Sequence, residues 1–535
     1  MSDMKTALKD TFVLDNMPDA SDCPEITFDL PELEYPSRLN AAEILLKNEP
    51  DRVAILTREG NWSYGKLARK VNQIAHVLVD DMGLVSGNRV LLRAPNTAMM
   101  AACWLAVLKA GGVAVSTMPL LRAREMATVI DKAQATHALC EAGMLEELNL
   151  AREKTKTLSA VLTFGKSGDL EGKMAAKSSD FKAVDTYAND PALLAFTSGT
   201  TGKPKACIHG HCDILTMANT FSRNILQAGR DEIFAGTPPL SFTFGLGGLL
   251  VFPFAVGATT VLNGTHGIEG LAKDIERFGV TTLFTSPTAY RALLTIADNY
   301  DFSSLEKCVS AGETLSKATS DAWLEKTGIR LIDGIGSTEM IHIFISASGD
   351  DIRPGATGKP IPGFKACILG EDDKPLKIGV GRLAVKGPLG CRYLDDPRQK
   401  EYVIGGWNVT GDIYKVDEEG YFWFQARSDD MIVSSGYNIA GPDVENALLS
   451  HVAVFECAVV GIADEKRGQI VKALVVLNEG VKPGPKMVQE LQDYVKATIA
   501  PYKYPRAIEF LKELPKTETG KIQRFKLRVK DFGGK

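Results

Sequence analysis

The stretch Thr197-Ser-Gly-Thr-Thr-Gly-Lys-Pro-Lys205 decides the fold, because it follows directly on an apolar strand candidate, Ala192-Leu-Leu-Ala-Phe196. Small hydroxylated residues and glycines let backbone and hydroxyl groups wrap phosphate oxygens, and lysines supply charge. A strand leading into such a loop is the usual entry to a phosphate site in an α/β protein. The string is not a Walker A loop, which has four residues between its first glycine and the Gly-Lys pair and then Ser or Thr. Here two residues separate Gly199 from Gly202, and Pro204 follows Lys203.

Outward from this loop the chain alternates strands and helices. Arg89–Arg93, a helix from a cap at Asn96 to Lys109, the break at Gly111-Gly112 and Val113–Ser116 form one strand–helix–strand unit. Leu67, Val71, Ile74 and Leu78 share a helical face behind a Ser63 cap. Further strands are expected at 161–164, 259–262, 281–284 and 330–332. Residues 366–424 change to short β runs and charged turns, and Asp417-Glu-Glu-Gly420 reads as a hairpin turn. After Arg427 a fresh α/β pattern begins. The expected fold class is α/β: a large N-terminal body of α/β sheets with a β-rich subdomain (1–427), plus a small mobile α+β C-terminal domain (428–535). A chain of 535 residues exceeds the roughly 250–300 at which one core stops growing.

Composition narrows the function. The net charge of −5 provides no global basic field for nucleic acid. Nine scattered cysteines with no C-x-x-C, and no apolar signal core at the start, point to a reduced, cytoplasmic protein. Residues 233–268 carry no Asp, Glu, Lys or Arg, and Phe244–Leu262 imitates a membrane span. Its glycines and Pro253, without a flanking basic cluster, favour a buried helix and strand. Cys207-Ile-His-Gly-His-Cys212 has a metal-like composition, but four ligands within six residues do not easily meet at one ion. Phe242 and Phe252 read as core.

Several segments then resemble one family, the adenylate-forming superfamily of acyl- and aryl-CoA synthetases, peptide-synthetase adenylation domains and luciferases. Thr197–Lys205 is similar to its signature loop. Asp333-Gly-Ile-Gly-Ser-Thr-Glu339, Trp407-Asn-Val-Thr-Gly-Asp412, Arg427-Ser-Asp-Asp-Met431 and Pro515-Lys-Thr-Glu-Thr-Gly-Lys521 resemble its adenine and magnesium, ribose, hinge and lysine segments, in the family's order. The resemblance implies ATP, Mg2+ and coenzyme A as partners in a two-step reaction. A carboxylate and ATP give an acyl-adenylate and pyrophosphate; a thiol then displaces AMP. It implies nucleotide contacts at Thr197, Ser198, Gly199, Thr200, Thr201, Gly202, Lys203, Lys205, Ala311, Gly312, Glu313, Asp333, Gly334, Ile335, Gly336, Ser337, Asp412 and Arg427. Thr338, Glu339 and Lys521 would be catalytic, with Glu339 as the magnesium ligand. Lys521 would stabilise charge developing at the α-phosphate. Asp429 would be the hinge, and Gly436 would lie beside the pantetheine tunnel.

Ser337-Thr-Glu-Met-Ile-His-Ile-Phe344, Leu240-Ser-Phe-Thr-Phe-Gly-Leu-Gly-Gly248 and Phe28-Asp-Leu-Pro-Glu-Leu33 resemble benzoate-CoA ligases and their 2-aminobenzoate-CoA ligase relatives. By that likeness Phe244, Gly245, Gly336, His342 and Ile343 line an aromatic-acid pocket. Benzoate enzymes commonly carry tyrosine where Phe244 falls, which favours 2-aminobenzoate as substrate. The alternatives are benzoate or another substituted benzoate, loading of a carrier-protein thiol, and an inactive binding protein of the same fold. The resemblance also suggests reversible acetylation of Lys521 by an acetyltransferase and deacetylase. A monomer or homodimer, no nucleic acid and no membrane complete the expectation.

Overall fold

A computed structural model describes residues 5–197, 204–264, 267–427, 430–434, 437–464, 467–499, 501–516 and 522–528. Four sheets organise the chain. The first has six strands in the order Ala160–Phe164, His137–Glu141, Arg89–Arg93, Val113–Thr117, Pro191–Thr197 and Lys205–Gly210. Its neighbours are parallel until the final hairpin, where Thr197 stands opposite Lys205. The helix Ala98–Lys109 that crosses between two of these strands is buried on nearly every face, consistent with its continuous apolar sequence. Thr97, not Asn96, caps it, accepting from the Met100 amide at 3.2 Å. Asn96 instead holds the Pro238 carbonyl and the Leu240 amide, a longer-range use of its side-chain amide that outcompetes the local cap.

The second sheet has nine strands: Lys359–Pro360, Ile343–Ser346, Leu331–Gly336, Lys307–Ala311, Thr282–Thr285, Ile233–Gly236, Thr259–Val261, Val53–Leu56 and Trp62–Ser63. Its central run is parallel, with Thr285 opposite Ser310 and Ser310 opposite Asp333. The carboxyl ends of these strands therefore lie along one edge, where α/β sheets gather their ligands. Expected strands at 259–262, 281–284 and 330–332 all occur here, the first two within one residue at each end and the last running on to Gly336. Residues Thr243–Val256 form one buried helix whose middle, Gly247–Val251, widens to a π turn. It ends at Gly257, whose φ of +72° suits glycine. Among the described residues no helix is long and apolar enough to cross a membrane.

The third sheet, built from 365–427, is antiparallel and carries the expected hairpin, Trp407–Val416 against Phe422–Arg427. The fourth joins Tyr437–Ile439, Ile432–Ser434, Gly468–Leu477, Val454–Asp464 and Ala507–Phe510. Helices Gly441–Leu449 and Pro485–Thr498 cover one face of it through Val444, Leu448, Leu491 and Val495. Leu514 and Leu527 cover the other. All nine cysteines are free.

Candidate functional site

The strand Lys205–Gly210 supplies the first side of the site. Side chains alternate along a strand, so Lys205, Cys207 and His209 share one face, while Ala206 and Ile208 enter the core beside Leu194 and Leu394. That face meets the segment Cys391–Tyr393, because Cys207 pairs with Tyr393 in an isolated antiparallel bridge. The Tyr393 hydroxyl accepts from Lys205 Nζ at 2.7 Å and donates to Glu339 Oε1. Lys205 Nζ lies 3.7 Å from the same carboxylate oxygen and 4.5 Å from the Tyr393 ring centre. Burial, followed by the Glu339 charge, pushes the Tyr393 phenol far upward, so it stays a donor. Tyr402 packs edge-on against Tyr393 and faces Ser337 Oγ at 3.5 Å.

His209 holds the neighbouring loop. Its Nε2 donates to the Thr338 carbonyl at 2.8 Å, and its Nδ1 faces Asp213 at 3.8 Å. Burial alone would raise the Asp213 carboxyl. Arg392, His209 and the Gly210 amide outweigh that and hold it at about 2. Lys205, His209, Arg392 and Tyr393 thus fix Thr338 and Glu339 from behind. Tyr393, Tyr402, Asp213, Arg392 and the site role of His209 escaped sequence reasoning. The alternation of Lys205, Cys207 and His209 was the available signal.

Asp333 lies within the strand Leu331–Gly336, not after it, and Gly334, Ile335 and Gly336 complete that strand. Its Oδ1 is sealed off with no hydrogen-bond partner among the described residues, and burial pushes the carboxyl up to about 8. Ala311 and Gly312 sit at the end of the adjacent strand. Glu313 turns away from these loops: its Oε2 accepts from the Thr288 amide at 3.2 Å and hydroxyl at 2.7 Å. Its side chain therefore fastens the neighbouring helix through Oε2. Asp412 and Arg427 face each other across the third sheet, Nη1 to Oδ1 3.0 Å. Burial raises the Asp412 carboxyl, and Arg427 counteracts this.

The apolar side centres on His342. It is buried, and among the described residues its ring nitrogens have only the Phe244 backbone as a polar neighbour, outside good hydrogen-bond geometry. Phe221, Phe244 and Phe252 surround it at ring-centre distances of 5.3, 5.7 and 4.6 Å. Burial lowers its pKa to about 3, so the ring is neutral. The π turn brings Gly247 so close that a Cβ there would stand 2.5 Å from His342 Cδ2. Gly245 and Ile343 are buried behind this cluster, Phe244 is half-buried and Gly336 is exposed. Phe252 is part of this box, whereas Phe242 is half-buried. His211 turns away from the site and accepts from the Ala41 amide at 3.2 Å. Thr197 ends its strand at the loop mouth opposite Lys205. Ser198, Gly199, Thr200, Thr201, Gly202, Lys203, Asp429, Gly436 and Lys521 lie outside the described residues.

A single buried carboxylate, Glu339, beside a lysine suits a hard cation whose remaining ligands are phosphate and water. Among the described residues no group of three or more His, Cys, Asp or Glu could hold a metal ion, so an all-protein cage is not what they offer.

Comparison with known proteins agrees with this arrangement. The AMP-binding enzyme family profile matches residues 43–392, and the AMP-binding enzyme C-terminal domain matches 443–521. The benzoate–CoA ligase of Thauera aromatica is 34% identical over 512 residues, 93% of this chain and 97% of that protein. The crystal structure of the anthranilate CoA ligase AuaEII with anthranoyl-AMP superposes with a TM-score of 0.89 at 33% identity, covering 93% of this chain and 98% of that one. A benzoate CoA ligase from Burkholderia xenovorans LB400 gives 0.85 at 29%, covering 92% and 100%.

Proposed function

The chain belongs to the AMP-binding enzyme family and has the fold of its acyl- and aryl-CoA ligases, and from that premise we propose that it activates a small aromatic carboxylate, best 2-aminobenzoate, and transfers it to coenzyme A. The observation that carries the aromatic reading is the box of Phe221, Phe244 and Phe252 around a neutral His342 beside the open Gly336. A flat ring fits such walls, and an imidazole lone pair can accept from an ortho amino group. Phe244 offers no hydroxyl, which weakens benzoate as the preferred acid. Benzoate stays the second reading because of the 34% identity to the Thauera ligase.

In this proposal the loop between Thr197 and Lys205 cradles the phosphates. Asp333 and the strand ends around Ala311 and Gly312 receive the base, and Asp412 with Arg427 receives the ribose. Mg2+ bound at Glu339 would neutralise phosphate charge. Lys205 and Tyr393 hold the Glu339 carboxylate in place, and His209 holds the Thr338 carbonyl, so the loop is organised before substrate arrives. The substrate carboxylate attacks the α-phosphorus and pyrophosphate leaves. Lys521, on the lid domain after Arg427, stabilises the charge that builds on the phosphoryl oxygens. The lid then turns about Asp429, bringing Gly436 beside the incoming thiol, and the thiolate displaces AMP.

Pyrophosphate exchange with ATP across benzoate, 2-aminobenzoate and short aliphatic acids, with and without CoA, tests this. The highest kcat/KM with 2-aminobenzoate and CoA-dependent thioester formation are expected. Preference for an aliphatic acid would overturn the aromatic assignment. Exchange without any acyl-CoA product would point to a carrier-protein thiol.

A further inference from the structure

A chain of contacts outside the nucleotide loops joins the C-terminal sheet to the N-terminal body. Lys516 Nζ lies 2.9 Å from Glu456 Oε1, and Arg291 Nη2 reaches the same oxygen at 3.7 Å. Arg291 Nη2 also donates to Thr288 Oγ1 at 3.0 Å, and Thr288 Oγ1 donates to Glu313 at 2.7 Å. Glu456 belongs to the strand Val454–Asp464 of the fourth sheet, and its side chain is only 6% exposed. Arg291 belongs to the helix Pro287–Ile296, which starts just beyond a strand end on the ligand edge of the nine-stranded sheet. A buried carboxylate needs cationic partners, and this one has one on each side at ion-pair distance, its Oε1 making no hydrogen bond among the described residues.

The position of Lys516 gives the chain its meaning. Lys516 bridges to Ile522, and the Gln523 amide donates to the Pro515 carbonyl at 2.8 Å. These pairings join the described residues on either side of 517–521, the segment whose sequence contains Lys521. Lys516 is thus linked through Glu456 and Arg291 to the Ala311–Glu313 turn.

We infer that Arg291 is a positioning residue for the adenylation step, docking Lys516, five residues before Lys521 in sequence, onto the body through Glu456. This rests on the role proposed above for Lys521. Arg291 touches no reacting atom; it acts by holding the lid where the lysine can serve. An anchor of this kind supports the half-reaction that needs the lysine and is indifferent to the other.

The test uses the full chain with 2-aminobenzoate. Arg291→Met keeps the apolar stem and removes the charge, Glu456→Gln removes the shared carboxylate, and Arg291→Lys restores a cation. Pyrophosphate exchange and single-turnover CoA transfer from preformed 2-aminobenzoyl-AMP are measured on each, with Lys521→Ala in parallel. Both charge-deleting variants should lower the exchange kcat about tenfold, the equivalent of ~1.4 kcal/mol, with KM for ATP and acid nearly unchanged. CoA transfer should stay at the wild-type rate, and Arg291→Lys should recover much of the loss. Exchange unchanged in Arg291→Met, or equal loss of both half-reactions, overturns the anchor. If Lys521→Ala itself keeps full exchange, the lysine assignment fails. If only Lys521→Ala loses exchange, the anchor alone fails.

Discussion

Replacing Tyr393 by phenylalanine removes one oxygen from the centre of the site. That hydroxyl is the link between two charges: it accepts from Lys205 at 2.7 Å and donates to Glu339. Hydrogen bonds to charged groups contribute about 1.5–3 kcal/mol each, so the variant begins with a sizeable deficit at a buried carboxylate. Lys205 can offset much of it, because its ammonium already stands 3.7 Å from Glu339 Oε1 and needs to move less than an ångström or so to pair directly. The fold should therefore lose only about 1 kcal/mol. The site loses more, since a lysine neutralising Glu339 is no longer offered to phosphate, and Glu339 is no longer held for a cation. An interaction of about 1.4–2.8 kcal/mol corresponds to a ten- to hundredfold rise in KM for MgATP. Steady-state kinetics with varied ATP, and calorimetric titration of ATP with and without Mg2+, read this separately from thermal melting. The acid KM should change little, because His342 and its aromatic neighbours are untouched. A variant with wild-type ATP affinity and wild-type melting temperature would refute the role given to the hydroxyl.

Other consequences concern the buried titratable groups and the aromatic box. His342 and His211 are each lowered to about 3 by burial, so they are neutral when folded, while the unfolded chain protonates them near the ordinary imidazole value of 6.5. Their contribution is complete above pH 6.5 and is lost as pH falls toward 3, about 4 kcal/mol for the pair between pH 7 and 5. Urea unfolding at both pH values should show a smaller loss in His342→Leu than in wild type, and an identical loss would contradict the burial assignment. Asp333 shifts the other way, to about 8, so ionising it costs stability progressively as pH rises from 3.8. Asp333→Asn should melt higher than wild type at pH 8, with the gap closing by pH 4, while binding ATP more weakly; equal melting temperatures at pH 8 would count against this. Gly247→Ala places a Cβ 2.5 Å from His342 Cδ2 and 3.0 Å from Phe252 Cζ. That overpacking should cost about 1–3 kcal/mol and raise the KM for the acid more than that for ATP. Unchanged acid kinetics would separate His342 from the substrate.

What sequence could convey about this molecule was local. Apolar runs of four to six residues marked the strands, whose ends carry Thr197 and Ala311, while Asp333 sits inside its strand and Glu339 three residues beyond the end of it. The uncharged stretch 233–268 was legible as buried for the same reason: its glycines and proline contradict a span. What its periodicity could not convey is the π turn at Gly247–Val251, because widening a helix by one residue per turn leaves no mark on an already uniformly apolar sequence. The bond from Thr288 to the Glu313 side chain was not legible, because a motif fixes the backbone of its loop and says nothing about which way a carboxylate turns.

The six residues from Cys207 to Cys212 show most directly where a one-dimensional reading stops. As a string they imitate a ligand cluster. As structure they are divided twice: alternation along the strand sends Cys207 and His209 to the site face and Ile208 to the core, and the chain then enters the helix His211–Met217. Cys207 meets Tyr393 because two distant segments pair across the sheet edge, and the His209 side chain reaches Thr338 on a third segment. Such pairing is set by register between strands, which no spacing within either segment encodes. Composition can therefore nominate the chemistry of these residues, while the register of an antiparallel bridge sets Tyr393 beside Lys205, and side-chain contacts from a third segment add Glu339 to the group.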